Sequence, residues 1–206
     1  MAVTPTIQLL AYLAAAWVDL SADLLAKNSI SASWGIRGIG KFDLLADVGE
    51  LNFSLLNNTG KYYPDGGAAL AGWNRNVPVK LILTYSTSTK IFRGYVEDIK
   101  LHVGKHVNDS YVDVRCLDWM KFADRFPLTG VTTLTNKRTE HGLAAITAQM
   151  TPAPQFEDYQ KGNFTFPVIF DGGGLRTTAY TEFSKLVNSE VGRLYLRKDA
   201  SYGEAL

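Results

Sequence analysis

Alternation of apolar and polar side chains predicts β-strands through most of the first 118 residues. The clearest case is residues 50–56, where Leu51, Phe53 and Leu55 fall on one face and Asn52 and Ser54 on the other. Comparable apolar segments predict further strands at residues 7–13, 17–21, 30–36, 77–85, 91–103 and 111–117. Turn residues separate them, as at residues 57–60 and 86–89. Several short strands divided by turns predict a β-barrel or a β-sandwich.

After residue 118 the apolar spacing becomes helical. A short helix is expected at residues 119–126, capped by Asp118 and stopped by Pro127, and longer helices at residues 139–150 and 178–190. Gly192 stands where a left-handed residue is expected to end the last helix. Strands are expected at residues 164–170 and 193–197. The predicted fold class is therefore mainly β with an α+β C-terminal part.

This change of pattern predicts two domains. Residues 1–127 are expected to form the β-barrel or sandwich, and residues 128–206 a small domain of mixed helices and strands. Because the chain stops shortly after its last predicted strand, we expect the second domain to be incomplete or to lean on a partner.

Composition and charge exclude several classes of function. The net charge is +1, from 21 basic and 20 acidic residues, without the basic excess typical of nucleic-acid binders. The single cysteine, Cys116, lies in an alternating strand and is predicted to be a buried apolar residue; it leaves no intrachain disulfide or cysteine-based zinc site. The apolar run at residues 7–18 has no preceding Lys or Arg and is too short to span a bilayer, so a cytoplasmic product is expected.

The sequence contains few candidates for a metal site or a catalytic site. His102 and His106 are four residues apart but flank the predicted hairpin turn at Gly104, with no third metal ligand apparent. Glu97 and Asp98 are adjacent, so regular strand geometry would send them to opposite faces and prevent a catalytic carboxylate pair.

Two glycine-rich segments are better explained as turns than as phosphate loops. Gly35, Gly38 and Gly40 stand in the reverse of the dinucleotide-binding order, and residues 171–174 lack the Lys and Ser/Thr of a P-loop. We predict no catalytic residue, metal site or cofactor, and do not expect an enzyme.

The order of segments over residues 17–126 resembles a pattern common in phage tail-tip and baseplate hub proteins. The matching segments are residues 17–21, 30–38, 48–64, 76–81, 91–99 and 112–119. They include the Asn-x-x-Gly corner with its following aromatics and Pro64, the Phe-x-Gly strand at Phe92, and the Cys-x-Asp strand at Cys116. Residues 179–196 also resemble the helix and strand that follow the barrel in that family. Members often continue into a second barrel, which predicts that this chain is a shortened or split hub.

The resemblance implies a tail-tube-like β-barrel and a structural role in the virion tail, after synthesis in the host cytoplasm. Such a hub subunit assembles with copies of itself into a ring around the tail axis and connects the tail tube to the tip. A trimer is favoured and a hexamer is the alternative. Other implied partners are distal tail, tape measure and tail-tip proteins. Neither specific nucleic-acid binding nor direct membrane insertion is expected, and the channel face is predicted to lack a strong positive potential.

The long irregular segment at residues 61–76 is the candidate subunit interface, through Tyr62, Tyr63 and Trp73. Aromatic residues are favoured at protein interfaces, and long loops are usually functional or packed against a partner. The alternative is that these aromatics fold back and cover the open end of their own barrel.

Three other functions compete with the hub. The first is another tail component, a distal tail or tube protein that forms hexamers. The second is a carbohydrate-binding β-sandwich, with a sugar platform at Trp17, Trp34, Trp73 or Trp119; Trp34 and Trp119 are instead expected in the core. The third is a small hydrolase with an unfamiliar site.

Overall fold

The computed structural model describes residues 5–25, 28–38, 40, 43–85, 88–104, 109–170 and 177–197. These residues form two compact units. The first unit contains the described residues of 1–33 and of Gly49–Asp118; the second contains the described residues of Trp34–Val48 and of Trp119–Arg197. Whether residues 1–127 and 128–206 are independent domains stays a prediction.

One antiparallel sheet dominates the chain. Its seven strands are β1 (Thr6–Leu13), β2 (Ala16–Asp19), β3 (Ser31–Gly35), β4 (Asp47–Leu56), β5 (Pro78–Thr84), β6 (Ser88–His102) and β7 (Tyr111–Leu117), and a 3-10 turn lies at Ser21–Asp23. They are arranged in the order β2-β1-β5-β6-β7-β4-β3. This sheet and the smaller helical part confirm the predicted fold class.

The core of the first unit is enclosed by this one sheet. Alternate residues of β1, β4, β5, β6 and β7 meet in a single buried cluster, which includes Leu9, Ala11, Leu51, Phe53, Leu55, Val79, Leu81, Phe92, Val96, Val112, Val114 and Cys116. Since strands from both halves of the sheet supply one core, the sheet curls around it as in a barrel. Cys116 is fully buried there, as predicted.

A β-bulge in β6 corrects the expectation for Glu97 and Asp98. The register against β7 shifts between Val96 and Asp98, so that Val96 is opposite Cys116 and Asp98 is opposite Arg115. Val96 and Ile99 both pack towards the core. The extra residue breaks the alternation, and Glu97 and Asp98 therefore both lie on the outer side of the sheet.

The second unit packs three helices with two short strand pairs. The helices are α1 (Met120–Arg125), α2 (Thr139–Thr147) and α3 (Ala179–Ser189). The strands are β8 (Pro127–Leu128), β9 (Leu134–Arg138), β10 (Thr165–Ile169) and β11 (Thr177–Thr178), with β10 paired to β9 and β11 to β8. Leu143 and Ile146 of the predicted α2 stripe are buried; the helix ends at Thr147, before the expected residue 150, and Met150 is buried beyond its end.

Leu44 to Ala46 belong to this second unit, which the strand pattern did not indicate. The amide of Ala46 donates to the carbonyl oxygen of Leu194 at 2.9 Å, and the amide of Leu194 donates to that of Leu44 at 3.0 Å. Leu194 forms only an isolated parallel bridge, with Leu45, so the expected strand at 193–197 is not formed. Trp34, expected in the core, is 43% exposed.

The helix ends differ from expectation at two places. Trp119, not Asp118, occupies the N-cap of α1, and Asp118 is buried. At the end of α3 the left-handed residue is Val191, with φ of 54°, and not Gly192. The amide of Gly192 donates to the carbonyl of Val187 at 3.0 Å and that of Val191 to Asn188 at 3.3 Å, which is a Schellman motif.

No helix in the described ranges is both long and apolar enough to cross a membrane.

Candidate assembly surfaces

The loop between β4 and β5, residues 57–77, carries the three predicted interface residues. Tyr62 and Trp73 are 1% and 3% exposed and belong to the core of the first unit, whereas Tyr63 is half-buried. The rings of Tyr62 and Trp73 pack edge to face, with centroids 5.6 Å apart. These two side chains therefore pack within the buried cluster of their own unit.

Hydrogen bonds hold the loop in this position. The indole Nε1 of Trp73 donates to the carbonyl oxygen of Tyr62 at 3.0 Å, and the amide of Tyr62 donates to Asn57 Oδ1 at 2.9 Å. The Tyr62 hydroxyl donates to the carboxylate of Asp23, which also pairs with Lys61 Nζ at 2.8 Å. These bonds thus hold the loop near its start and near its end, and connect it to the 3-10 turn.

Asp23 and Tyr62 change each other's titration. Burial opposes ionisation of Asp23, but the hydrogen bonds from Lys61 and Tyr62 and the charge of Lys61 outweigh it and lower the pKa of Asp23. Burial, and then the bond to the Asp23 carboxylate, raise the pKa of Tyr62 far above its ordinary value. Each partner is stabilised in the protonation state that the bond requires. Contact of this loop with a neighbouring subunit stays a prediction, for which Tyr63 offers the accessible ring.

A second surface lies on the outer face of β1, β2, β5 and β6. Tyr12 and Trp17 are cross-strand partners with ring centroids 5.3 Å apart. Lys80 Nζ lies 4.0 Å from the Trp17 ring centroid, and Arg93 Cζ lies 5.8 Å from it. We call these four residues the cation–aromatic patch. Its contacts are cation–π interactions between side chains that point away from the core.

A third surface, on the outer face of β4, β6 and β7, carries charges of both signs. Asp98 and Asp113, together with Lys100 and Arg115, line an open groove of about 310 Å³ there. Arg115 Nη2 lies 2.8 Å from Glu50 Oε2, and the pKa of Arg115 is raised by that hydrogen bond and, further, by the charges of Glu97 and Asp98.

His102 contacts Asp113, one of the residues that line this groove. Its Nε2 lies 2.8 Å from Asp113 Oδ2, and its ring stacks on Tyr111 with centroids 4.5 Å apart. His106 lies outside the described residues. Within the described ranges there is no group of three His, Cys, Asp or Glu side chains that could hold a metal ion.

The glycine segment at residues 35–40 is closed by a carboxylate. The amide of Gly40 donates to Asp43 Oδ2 at 2.7 Å, so the nearest anion is one of the chain's own acids. This agrees with a turn and not with a phosphate loop. Residues 171–174 lie outside the described residues.

The second unit has a mixed-charge cavity of about 470 Å³ between α2, α3 and residues 158–163 and 191–197. Arg197 pairs with Asp158 at 3.0 Å across it, and the carboxylate of Glu190 accepts the amides of Asn163 and Phe164. The same unit exposes apolar side chains next to and along β10, with Phe164 60% and Val168 53% exposed. Exposed apolar side chains on one strand are typical of association surfaces.

Three of the four indole rings are buried or covered, and so are not accessible for stacking on a sugar. Trp73 and Trp119 are buried, and the Trp17 ring lies beneath the Lys80 ammonium. Trp34 is the one described indole with large exposure.

No protein-family description matches the chain, and no curated protein matches its sequence. Solved structures do match. The 43 kDa tail protein of prophage MuSo2 from Shewanella oneidensis is 10% identical, with a TM-score of 0.51 over 97% of this chain and 55% of that protein. The tail protein from Neisseria meningitidis MC58 is 10% identical, with a TM-score of 0.55 over 97% of this chain and 49% of that protein.

A chain of the half-lidded PdpA–VgrG complex from Francisella is 14% identical, with a TM-score of 0.54 over 98% of this chain and 30% of that one. The chain thus spans about half the length of the two tail proteins and less than a third of the third match. At these identities the likeness concerns the fold. The chain therefore has the fold of phage tail proteins, as the resemblance of residues 17–126 predicted.

Proposed function

We propose that this protein is a structural subunit of a phage tail tip, a baseplate-hub subunit that forms a ring around the tail axis and connects the tail tube to the tip. The observation that carries the proposal is the fold shared with two tail proteins over 97% of the chain. Its role is mechanical and not catalytic, and its place is the virion tail.

Three copies form the ring, with distal tail, tape measure and tail-tip proteins as further neighbours. The loop at residues 57–77 faces a neighbouring copy. Tyr62 and Trp73 support it from inside, and Tyr63 supplies its accessible aromatic ring. The exposed apolar side chains along β10 serve a second contact with other tail proteins.

Native mass spectrometry and cryo-EM of the purified chain, alone and with the products of neighbouring genes, test this proposal. We expect a ring of three times the 22.7 kDa chain mass. A ring of six supports a distal tail or tube protein instead. A monomer that joins no ring and binds glycans overturns the proposal.

The loop is tested by Tyr63→Ser, with Tyr85→Ser as a matched control at another exposed turn of the same unit. We expect weaker ring formation only for Tyr63→Ser. Equal ring formation in both variants removes the loop from the interface.

A further inference from the structure

The cavity of the second unit contains two cations that no acid of the described chain neutralises. Lys161 and Arg193 both line it, and both side chains are exposed. Among the described residues, neither side chain makes an ion pair or a hydrogen bond. Both charges are therefore available to a ligand that enters the cavity.

The two acids that line the same cavity are already engaged. Asp158 Oδ2 accepts from Arg197 Nη1 at 3.0 Å, and the carboxylate of Glu190 accepts the amides of Asn163 and Phe164 at 3.0 and 3.3 Å. Three cationic and two acidic side chains line the cavity, which leaves it a net charge of +1. Since the acids are satisfied within the chain and two cations are not, the lining favours an anion over a cation.

The wall of the cavity at residues 158–163 has a fixed backbone. The amide of Gly162 donates to Glu140 Oε2 at 2.8 Å, and its carbonyl oxygen accepts from Arg138 Nη1 at 3.4 Å. Glu190 packs on the other side of Gly162, where a Cβ would lie only 2.6 Å from Glu190 Oε1. Lys161 therefore projects from a segment that is already ordered, which lowers the entropy cost of binding.

A buried hydroxyl of the cavity lining also lacks a partner. Thr139, the first residue of α2, is 7% exposed, and within the described ranges its Oγ1 makes no hydrogen bond. Thr139 lines the same cavity as Lys161 and Arg193. Because buried polar atoms nearly always have a hydrogen-bond partner, this hydroxyl independently indicates a polar ligand.

The size and the remaining lining indicate the class of ligand. A volume of about 470 Å³ is in the range of cavities that hold small organic molecules, and it far exceeds what one inorganic anion fills. Gln160 and Asn163 contribute side-chain amides, which can donate to and accept from peptide groups. The ring of Tyr195, 50% exposed, adds accessible aromatic surface. A short peptide that carries carboxylates satisfies all of these groups together.

We propose that this cavity binds an acidic peptide segment of a neighbouring tail protein, a partner that rests on the proposed function. Lys161 and Arg193 bind the Asp or Glu carboxylates of the segment, and the Thr139 hydroxyl donates to it. Gln160 and Asn163 bind its main chain.

Calorimetric titration of the full chain with blocked peptides tests the site. We expect saturable binding of acetyl-Gly-Asp-Glu-Gly-amide and at least tenfold weaker binding of its neutral counterpart, acetyl-Gly-Asn-Gln-Gly-amide. K161A and R193A should each weaken binding of the acidic peptide about tenfold, because each removes a bond to a charged group. K137A, which removes an exposed cation of β9 outside the cavity, is the matched control and should bind as the wild type does. Raised salt should weaken the wild-type interaction.

Thr139→Val separates the hydroxyl from the shape of the side chain. We expect it to weaken peptide binding without lowering the free energy of unfolding, because the hydroxyl has no partner to lose in the free protein. Urea unfolding of every variant shows that it is folded. Full peptide affinity in Thr139→Val would overturn the role of the hydroxyl.

Several results would overturn the site itself. They are no binding of the acidic peptide, equal binding of the acidic and neutral peptides, or an equal loss in K137A and K161A. Tighter binding of inorganic phosphate or of an oligogalacturonate would assign the cavity to another anion and overturn the peptide. A chain that forms rings but does not bind the peptide overturns only this inference. A chain that binds the peptide but never forms a ring overturns the proposed function and, with it, the tail protein as the source of the segment.

Discussion

The indole of Trp73 and the main-chain carbonyl of Tyr62 are joined by a 3.0 Å hydrogen bond across eleven residues of chain. The bond closes the β4–β5 loop on itself and places both aromatic side chains in the barrel core. A segment that looks irregular in sequence is therefore a fixed part of the first unit.

Trp73→Phe separates the hydrogen bond from the packing. Phe retains much of the apolar surface but leaves the buried Tyr62 carbonyl without its donor, so we expect a loss of about 1–3 kcal/mol in the free energy of unfolding. Trp73→Ala should cost about 3–5 kcal/mol. Urea titration measures both, with Tyr63→Phe as the control. A wild-type midpoint in Trp73→Phe would show that the bond contributes nothing.

Gly94 is required where β6 crosses the core. A Cβ at this position would overlap the carbonyl oxygen of Leu117 and lie 2.7 Å from the Phe92 ring. We expect Gly94→Ala to lower the free energy of unfolding by about 1–3 kcal/mol, since both neighbours belong to packed strands. Gly67→Ala is the matched control, because a Cβ there meets nothing within 4 Å. Equal unfolding midpoints for the two variants would contradict this account.

Val191 adopts a left-handed conformation that suits glycine. Its side chain is 72% exposed, so little packing is lost when it is removed. We expect Val191→Gly to raise the free energy of unfolding by about 0.5–1 kcal/mol, because relief of backbone strain exceeds the entropy cost of glycine. Val168→Gly, in the extended strand β10, should destabilise instead. Thermal unfolding of the two variants compares them; a lower Tm for Val191→Gly would refute the strain argument.

Tyr62 makes stability fall at alkaline pH. Its pKa is raised in the folded state above the ordinary value of 10.0, by burial and by Asp23. Its contribution is therefore complete below pH 10.0 and is lost as the pH rises above it, where the unfolded chain releases a proton that the folded chain keeps.

Tyr62→Phe should flatten this alkaline decline when urea midpoints are measured on both sides of that pH. Some decline remains, because burial also raises the pKa of Tyr159 and Tyr180. An unchanged slope in Tyr62→Phe would assign the effect to those residues.

The strands were predictable because their environment has a period of two. Leu51, Phe53 and Leu55 alternate without interruption, and each is buried as expected. The α2 stripe was predictable for the same reason, at helical spacing. Where local sequence determines the secondary structure, the spacing of apolar residues is sufficient to predict it.

The spacing of apolar residues was insufficient where long-range contacts determine the structure. The bulge at Glu97 is set by pairing with β7, and alternation alone places Asp98 wrongly. Val191 shows that a left-handed position can be filled without glycine when two helix carbonyls accept its own amide and that of Gly192. Burial of Tyr62 and Trp73 depends on partners such as Asp23, 39 residues away from Tyr62, which no local signal reveals.

The pairing of residues 44–46 with Leu194 has a consequence for the newborn chain. The strands of the first unit are complete once residue 118 has left the ribosome, but the early segment must wait for Leu194. At about 5–20 residues per second, that delay is on the order of 4–15 s. During this interval Leu44 and Leu45 are without the partner with which they later pair. The order of synthesis thus leaves two apolar residues from early in the chain waiting for a residue near its far end.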